Sequence, residues 1–235
     1  MNIINIIKFI GEKKPVYTWD SVKKIMPLVP VDGEGWYDNN GKQGLWIIHN
    51  EKNKIKSKGT YKDGKKEGYW EEYDTKGKLL AKQNFKNNMA DGDFEYFFEN
   101  GKLWMKGPYK KGKKDGYWEE YNISGNLWSK GYYKNDKEDG YWVKYNIDGN
   151  ISSKGEYLEG KKIGEWETFF KNGQLESNGK YVENKRYHDW VFYHNNGNIA
   201  SMGKFLNNNK TGDWVYYDKD GQIEYKGTYK NGFEI

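Results

Sequence analysis

The sequence predicts an all-β protein. The expected form is an elongated solenoid of about eight 24-residue antiparallel β-hairpin repeats, forming one long twisted sheet, with a short N-terminal capping segment. Three observations predict it. A glycine–aromatic pattern recurs every 24 residues without insertion. Asn-Gly and Asp-Gly pairs punctuate the copies at a constant place. Aromatic residues make up 18% of a chain whose mean hydropathy is −1.13, so burial must run through large rings on a thin, solvated scaffold. That aromatic content also sets the chain apart from disordered ones of similar polarity.

Each repeat is numbered here from the residue two before its large ring. Position 0 is then Gly44, Gly68, Gly92, Gly116, Gly140, Gly164, His188 and Gly212. Position +2 is tryptophan, except for Phe94. Position +5 is His49, Tyr73, Phe97, Tyr121, Tyr145, Phe169, Tyr193 and Tyr217. Position +9 is glycine except for Asn53, +11 is always aliphatic, and +15 is glycine except for Gln83. Position +17 is tyrosine or phenylalanine throughout. Self-similarity at one fixed period is the signature of a repeat architecture.

Within each copy the pattern reads as a hairpin. Asn100-Gly101, Asp148-Gly149, Asn172-Gly173, Asn196-Gly197 and Asp220-Gly221 are expected two-residue turns with positive φ. With that turn, +2 faces +15, 0 faces +17 and +6 faces +11. These positions share one side of the sheet, because side chains alternate with period two. Large rings then lie over glycines whose missing β-carbons admit them. This ring face is the expected core.

The second face carries +1, +3 and +5 with +12, +14 and +16. Lysine holds +14 in six copies, and Glu71, Glu95 and Glu119 at +3 are expected opposite Lys82, Lys106 and Lys130. Such cross-strand pairs contribute a few tenths of a kcal/mol, up to ~1. The second connection of each repeat, as in residues 62–67, reads as a longer polar link. Sixteen strands about 4.8 Å apart would span roughly 75–80 Å, each hairpin touching only its neighbours.

Residues 1–33 lie off the grid and hold three of the four prolines. Residues 18–26 are expected to form a short helix capped by Asp20 or Ser21. The segment is either a cap on the first hairpin or an arm for a partner. Residues 34–235 form the repeat domain. The first ten residues lack the basic start and the small-residue cleavage site of a signal peptide, and a membrane-surface segment is the rival reading.

The unit G-x-W-x-x-Y-x-x-x-G-x-L-x-x-x-G-x-Y is clearest from Gly116, Trp118 and Tyr121 through Gly125, Leu127, Gly131 and Tyr133. It resembles the MORN-repeat superfamily, in particular the bacterial variant labelled YwqK-type antitoxin. The resemblance covers about residues 35–235. It implies the hairpin fold and a scaffold that binds proteins or, in some eukaryotic members, lipids. Through the variant's label it also implies a place in toxin–antitoxin or immunity systems. Asn53, Gln83, Phe94 and His188 depart from the pattern and put strand geometry in question at those points.

Chemistry is sparse. The chain has no cysteine, which excludes disulfides, thiolate metal sites and a cysteine nucleophile. That fits a reducing compartment, and a cytoplasmic protein is expected. The three histidines are His49, His188 and His194. His188, His194 and Asp189 are the one candidate metal set, and ordinary strand and turn roles account for them. The carboxylates recur with the repeat rather than converging as a catalytic pair. No nucleophile elbow, Walker or Rossmann fingerprint occurs. A non-enzyme with no cofactor and no metal is expected.

Net charge is +5, and only one of the 39 basic residues is an arginine, Arg186. Base-edge readout favours bidentate arginine. Interleaved acids blunt any field that would hold single-stranded nucleic acid or an anionic bilayer. Direct nucleic-acid and membrane partners are therefore disfavoured.

The candidate site is where three successive copies differ from their siblings. Position +12 is Leu80, Trp104 and Trp128, with Tyr73, Phe97 and Tyr121 as expected partners at +5. Lys82, Lys106, Lys130, Glu95 and Glu119 would rim this apolar stripe, with Tyr132 near its end. Exposed aromatic patches with polar rims mark interaction sites. The plain alternative is that the N-terminal segment or a curl of the sheet covers the stripe. The expected function is non-catalytic protein binding. The resemblance extends this to an antitoxin or immunity-type inhibitor covering a functional surface of an intracellular effector, such as a nuclease or its nucleoprotein complex. A scaffold or tether, and a non-specific RNA or single-stranded DNA binder, are the alternatives.

Overall fold

The computed structural model describes residues 35–235, and every regular element among them is a β-strand. The expected cap and its helix at residues 1–33 lie outside the described residues. The chain divides into two units, Met1–Met89 and Ala90–Ile235.

In the first unit the strands are Trp36–Asp38 (β1), Gly41–His49 (β2), Ile55–Lys62 (β3), Lys65–Tyr73 (β4) and Leu79–Lys86 (β5). They pair antiparallel in chain order. Met89–Phe97 (β6) begins at the last residue of that unit. The second unit continues with Leu103–Lys110 (β7), Lys113–Lys114 (β8), Gly116–Tyr121 (β9), Leu127–Lys134 (β10) and Lys137–Glu138 (β11). Gly140–Tyr145 (β12), Ile151–Leu158 (β13), Lys161–Phe169 (β14), Leu175–Val182 (β15) and Lys185–Tyr193 (β16) follow. Ile199–Leu206 (β17), Asn209–Tyr217 (β18), Ile223–Lys230 (β19) and Phe233–Glu234 (β20) complete it. Here too the pairing is antiparallel and follows chain order, except that the two-residue strands β8 and β11 pair only with β7 and β10, which also pair past them with β9 and β12.

The two connections of each repeat exchange the roles expected of them. After +5 the chain makes a three-residue loop. Gly77 N donates to Asp74 O at 3.0 Å, and Asp74 N donates to Lys78 O at 2.8 Å. This is a type I turn closed by Gly77 at φ 86°. Of each Asn-Gly or Asp-Gly pair named above, only the glycine has positive φ. The two-residue turns lie instead at the supposed polar links. Asp63 and Gly64 have φ 50° and 70°, and Asn135 and Asp136 have φ 50° and 69°. Two positive φ values give the turn whose twist matches the flanking strands.

The longer loop moves the register. Tyr73 faces Leu79 and Glu72 faces Ala81, so +5 meets +11 and the residue at +12 is an unpaired bulge. The same shift recurs at Phe97–Leu103 and Tyr121–Leu127. The expected pairing of +6 with +11 and of +5 with +12 is thereby corrected. Away from the loop the expected register stands: Trp166 faces Gly179, and Gly164 faces Tyr181.

The two glycines of the repeat do different work. A β-carbon on Gly155 at +15 would stand 2.3 Å from Cδ2 of Trp166, the ring of the following repeat. The indole that seats on each such glycine is thus the next copy's, and the hairpins interlock. Glycine at 0 serves first the backbone, although at Gly44 and Gly116 a β-carbon would also strike Trp36 and Pro108. Gly68 and Gly212 have φ 68° and 65°, and a β-carbon there would meet nothing within 4 Å. It sits where the register slips between hairpins, from Thr60–Glu67 to Gly59–Trp70. The departures keep this geometry: His188 at 0 and Asn53 at +9 both adopt φ 58°. The pattern also starts earlier than the first tryptophan. Gly35 stands where +15 belongs and lies under Trp46, and Tyr37 at +17 makes an edge contact with that ring at 5.0 Å.

The core is a line of rings. In the second unit it runs Tyr109–Trp118–Tyr133–Trp142–Tyr157–Trp166–Tyr181–Trp190–Phe205–Trp214–Tyr229, with centroids 5.0–6.4 Å apart and planes near perpendicular. The five tryptophans are at most 2% exposed. Edge-to-face pairs add about 0.5–1.5 kcal/mol each beyond area burial. Each indole N–H donates to the +16 carbonyl of the preceding hairpin, as Trp118 does to Pro108 O and Trp142 to Tyr132 O.

Candidate protein-binding face

The second face is built from residues that alternate with the buried rings. In the second unit Lys106 and Glu119 face one another on β7 and β9, and Lys106 Nζ lies 2.9 Å from Glu119 Oε2. The Tyr121 hydroxyl donates to the same oxygen at 2.6 Å. Burial works against the charge of Glu119. The bonds from Tyr121 and Lys106, with the nearby charges of Lys106 and Lys130, outweigh it and hold the carboxyl below its usual range. Burial pushes the Tyr121 hydroxyl up, and its bond to Glu119 adds to the shift. The first unit repeats the arrangement with Lys58, Glu71 and Tyr73. The register places Glu71 opposite Lys82, Glu95 opposite Lys106 and Glu119 opposite Lys130, as expected. The carboxylates of Glu71 and Glu119, however, also reach the lysine of the preceding hairpin.

The residues of the expected stripe do not share one side. Leu80 belongs to the first unit and is half-buried in its bulge. In the second unit Phe97 and Tyr121 are half-buried on the second face, opposite Leu103 and Leu127. Lys106, Lys130 and Tyr132 stand on that face with them. Trp104 does not. Its ring stacks on Phe98 at 5.3 Å and packs against Tyr96 at 5.3 Å, and Tyr96 stacks on the core ring Phe94. Trp128 holds the equivalent bulge between Leu127 and Ser129. An extra residue in one strand breaks the alternation of sides, and this turns Trp104 toward the ring face. Both tryptophans remain exposed, at 40% and 47%.

A different aromatic group occupies the second face. Tyr117 and Tyr132 are directly opposed on β9 and β10, with rings 5.3 Å apart. Tyr141 follows at +1 of the next copy. The three are 40%, 53% and 50% exposed. The sequence reading singled out Tyr132 alone. The missed signal was tyrosine recurring at +1 in Tyr69, Tyr117 and Tyr141, where other copies carry Leu45, Asp93, Glu165, Asp189 or Asp213. The histidines have local roles: His188 makes an edge contact with the Tyr187 ring, and His194 Nε2 lies 2.8 Å from Tyr217 O. Among the described residues no group of three or more His, Asp and Glu is placed to hold a metal ion.

Six segments match the sequence model of the MORN repeat variant: residues 42–63, 66–87, 90–111, 114–135, 162–183 and 210–231. Together they make up more than half of the chain. The protein belongs to the MORN repeat variant family. MORN repeats mediate interactions with proteins or membranes. In this MORN repeat protein each matched segment runs from the first strand of a hairpin to the first residue of the two-residue turn that follows its second strand. No curated protein matches the chain. Among solved structures, the GtfA/B complex bound to UDP and GlcNAc is similar at 16% identity over 48% of this chain and 22% of that one, with a TM-score of 0.20. A TarM mutant from S. aureus in complex with fondaparinux, alpha-GlcNAc-glycerol and UDP is similar at 14% identity over 62% of this chain and 21% of that one, with a TM-score of 0.23. The MORN repeat chain thus spans about a fifth of the length of either.

Proposed function

We propose that this MORN repeat protein is a non-catalytic protein-binding module that inhibits an intracellular effector, in the manner of an antitoxin or immunity protein. The exposed Tyr117–Tyr132–Tyr141 group carries this reading. Tyrosine offers a large contact area with one polar tip and little side-chain entropy to lose, which is why it is enriched at interfaces. Lys106, Glu119 and Lys130 border the group with polar atoms already engaged, as at the rim of a binding patch. A sheet held by interlocked rings loses little freedom on docking. The carboxylates suit recognition rather than catalysis: Glu119 is tied to lysine and tyrosine and kept charged, the opposite of a general acid. No cofactor or metal enters this reading. The resemblance of the repeat to the antitoxin variant suggests the effector, with a nuclease as the leading case.

The test uses the full chain as bait in the native cells, beside a Tyr117→Ala/Tyr132→Ala/Tyr141→Ala variant. The expected result is one stoichiometric protein partner, lost by the variant while its far-UV dichroism is unchanged. Co-expression of that partner should harm the cells, and the wild-type chain should relieve the harm. Equal capture by the folded variant, or a partner whose activity the chain leaves untouched, overturns the proposal.

A further inference from the structure

The ring face of the second unit carries a row of cations above its indoles. Lys114 lies 4.3 Å over Trp118, Lys162 4.1 Å over Trp166, Arg186 4.7 Å over Trp190 and Lys210 4.6 Å over Trp214. The cations help close the core, since their stems cover the rings and their charges meet the π-faces.

Their surroundings differ along the row. The charges near Lys114 are acidic: Glu120, Asp136 and Glu138. The charges near Lys162 are Lys144 and Arg186. Lys144 stands at +4, where the first and third hairpins before it carry Glu120 and Glu72. It reaches over Tyr157 at 5.7 Å. Burial lowers the affinity of Lys162 for its proton, and Lys144 and Arg186 lower it further. None of Lys144, Lys162, Arg186 and Lys210 forms an ion pair with a carboxylate of the described residues. Elsewhere the protein pairs its half-buried lysines, as at Lys66–Glu72 and Lys154–Glu167. Four neighbouring cations without a counter-charge are electrostatically incomplete, and what completes them is an anion.

We propose that Lys144, Lys162, Arg186 and Lys210 form a strip that binds a carboxylate-rich segment of a partner protein, on the side of the sheet opposite the tyrosine group. Geometry favours a peptide. Equivalent cations of successive repeats are two strands apart, about 10 Å, which is the span of three residues of extended chain. Carboxylates at every third position would meet them in turn. A single-stranded nucleic acid needs open π-faces for its bases, and Trp166, Trp190 and Trp214 are at most 2% exposed. A bilayer needs exposed apolar groups beside the cations. The neighbours here are Ser153, opposite Lys144, and the bonded hydroxyls of Thr168 and Ser177, while the rings beside Arg186 and Lys210, Phe192 and Tyr216, are half-buried, and Tyr216 is bonded to Lys210.

The inference rests on the protein-binding reading and adds the chemistry of the partner's segment. The probe is a fluorescein-labelled peptide of about 20 residues with glutamate at every third position, titrated with the full chain at about 50 mM salt, where screening is weak. Its glutamine counterpart, an oligothymidylate of similar length and phosphatidylserine vesicles serve as the other ligands. The glutamate peptide is expected to bind at least about tenfold more tightly than the glutamine one, and Lys162→Gln/Arg186→Gln should lose that margin. Lys180→Gln, on the second face, should keep it. Near-UV dichroism of each variant shows whether the ring core persists. If Lys162→Gln/Arg186→Gln disturbs it, Lys144→Gln/Lys210→Gln is read in its place. Equal binding of the two peptides overturns the strip, as does tighter binding of the oligonucleotide or the vesicles that depends on the same lysines. The cellular partner separates the two proposals. A partner held equally by wild type and Lys162→Gln/Arg186→Gln removes the strip and leaves the protein-binding reading, whereas the absence of any partner removes that reading.

Discussion

The indole of Trp166 rests directly on Gly155, a residue of the preceding hairpin, and donates its N–H to the next carbonyl in that strand, Glu156 O, at 3.1 Å. One contact thus joins two copies of the repeat by packing and by a hydrogen bond. A β-carbon on Gly155 would come within 2.3 Å of the ring. Gly155→Ala should therefore cost about 2–4 kcal/mol, since the ring must leave its seat. Gly164→Ala is a different case. That glycine has φ 64°, and a methyl group there would meet only Glu156 Oε2 at 3.8 Å, an ordinary contact, so its cost should be about 1 kcal/mol of backbone strain. Urea midpoints of the two variants check the order, and equal losses would contradict the separate roles.

His188 is the mirror of that second case. It holds φ 58° where its siblings are glycine. His188→Gly should raise stability by about 1 kcal/mol by relieving a left-handed conformation that a side chain resists. A thermal melt that moves up by a few degrees is the expected reading, and a fall would mean the contact with Tyr187 matters more.

The three-residue loops are held by one of two side chains. Where +6 is Asn or Asp, its oxygen accepts from the amides at +8 and +10, as Asn146 does from Asp148 and Asn150. Where +6 is aromatic, Asn at +8 takes over: Asn172 accepts from Gln174 N and donates to Asn195 O in the next loop. Asn172→Ala should cost about 1 kcal/mol, and Asp148→Ala close to nothing. Chemical denaturation of both single variants distinguishes them.

Tryptophan has two meanings in this chain. Trp118 is fully buried, while Trp104 and Trp128 are exposed in bulges. Trp118→Ala should cost about 3–5 kcal/mol, the usual loss for a buried large ring. The Trp104→Ala/Trp128→Ala variant should melt within a few degrees of wild type. A large drop for the double variant would place those rings in the core after all.

Glu119 sets a pH dependence. Its folded-state pKa is depressed, so the stabilisation it brings is present above the unfolded value of about 4.3 and is lost as pH falls through the folded value. The urea midpoint should decline more steeply below about pH 4 for wild type than for Glu119→Gln. Parallel curves for the two proteins would show that the Lys106–Glu119–Tyr121 group contributes nothing to the decline.

The repeat length, the strands, the ring face and the pairing of Trp with Gly across each hairpin were legible in residues alone. They follow from a period of 24 and from side-chain alternation, both local properties. Two things were not. Asn172-Gly173 is compatible with a two-residue or a three-residue loop, and the choice belongs to the whole hairpin, whose twist and cross-strand bonds favour one. That single residue decides which side Trp104 takes, and so it dissolved the stripe that Leu80, Trp104 and Trp128 formed on paper. The partner of a charge was hidden for a similar reason. Each strand has two neighbours, and register arithmetic within one hairpin finds Lys130 for Glu119 but not Lys106 from the hairpin before. The cations over the indoles, four residues ahead of each ring in chain order, were visible as letters, yet only the turn of the strand at position 0 brings them onto the rings. Sequence periodicity determines what must be buried; the packing of one hairpin on the next decides which faces remain for another molecule to touch.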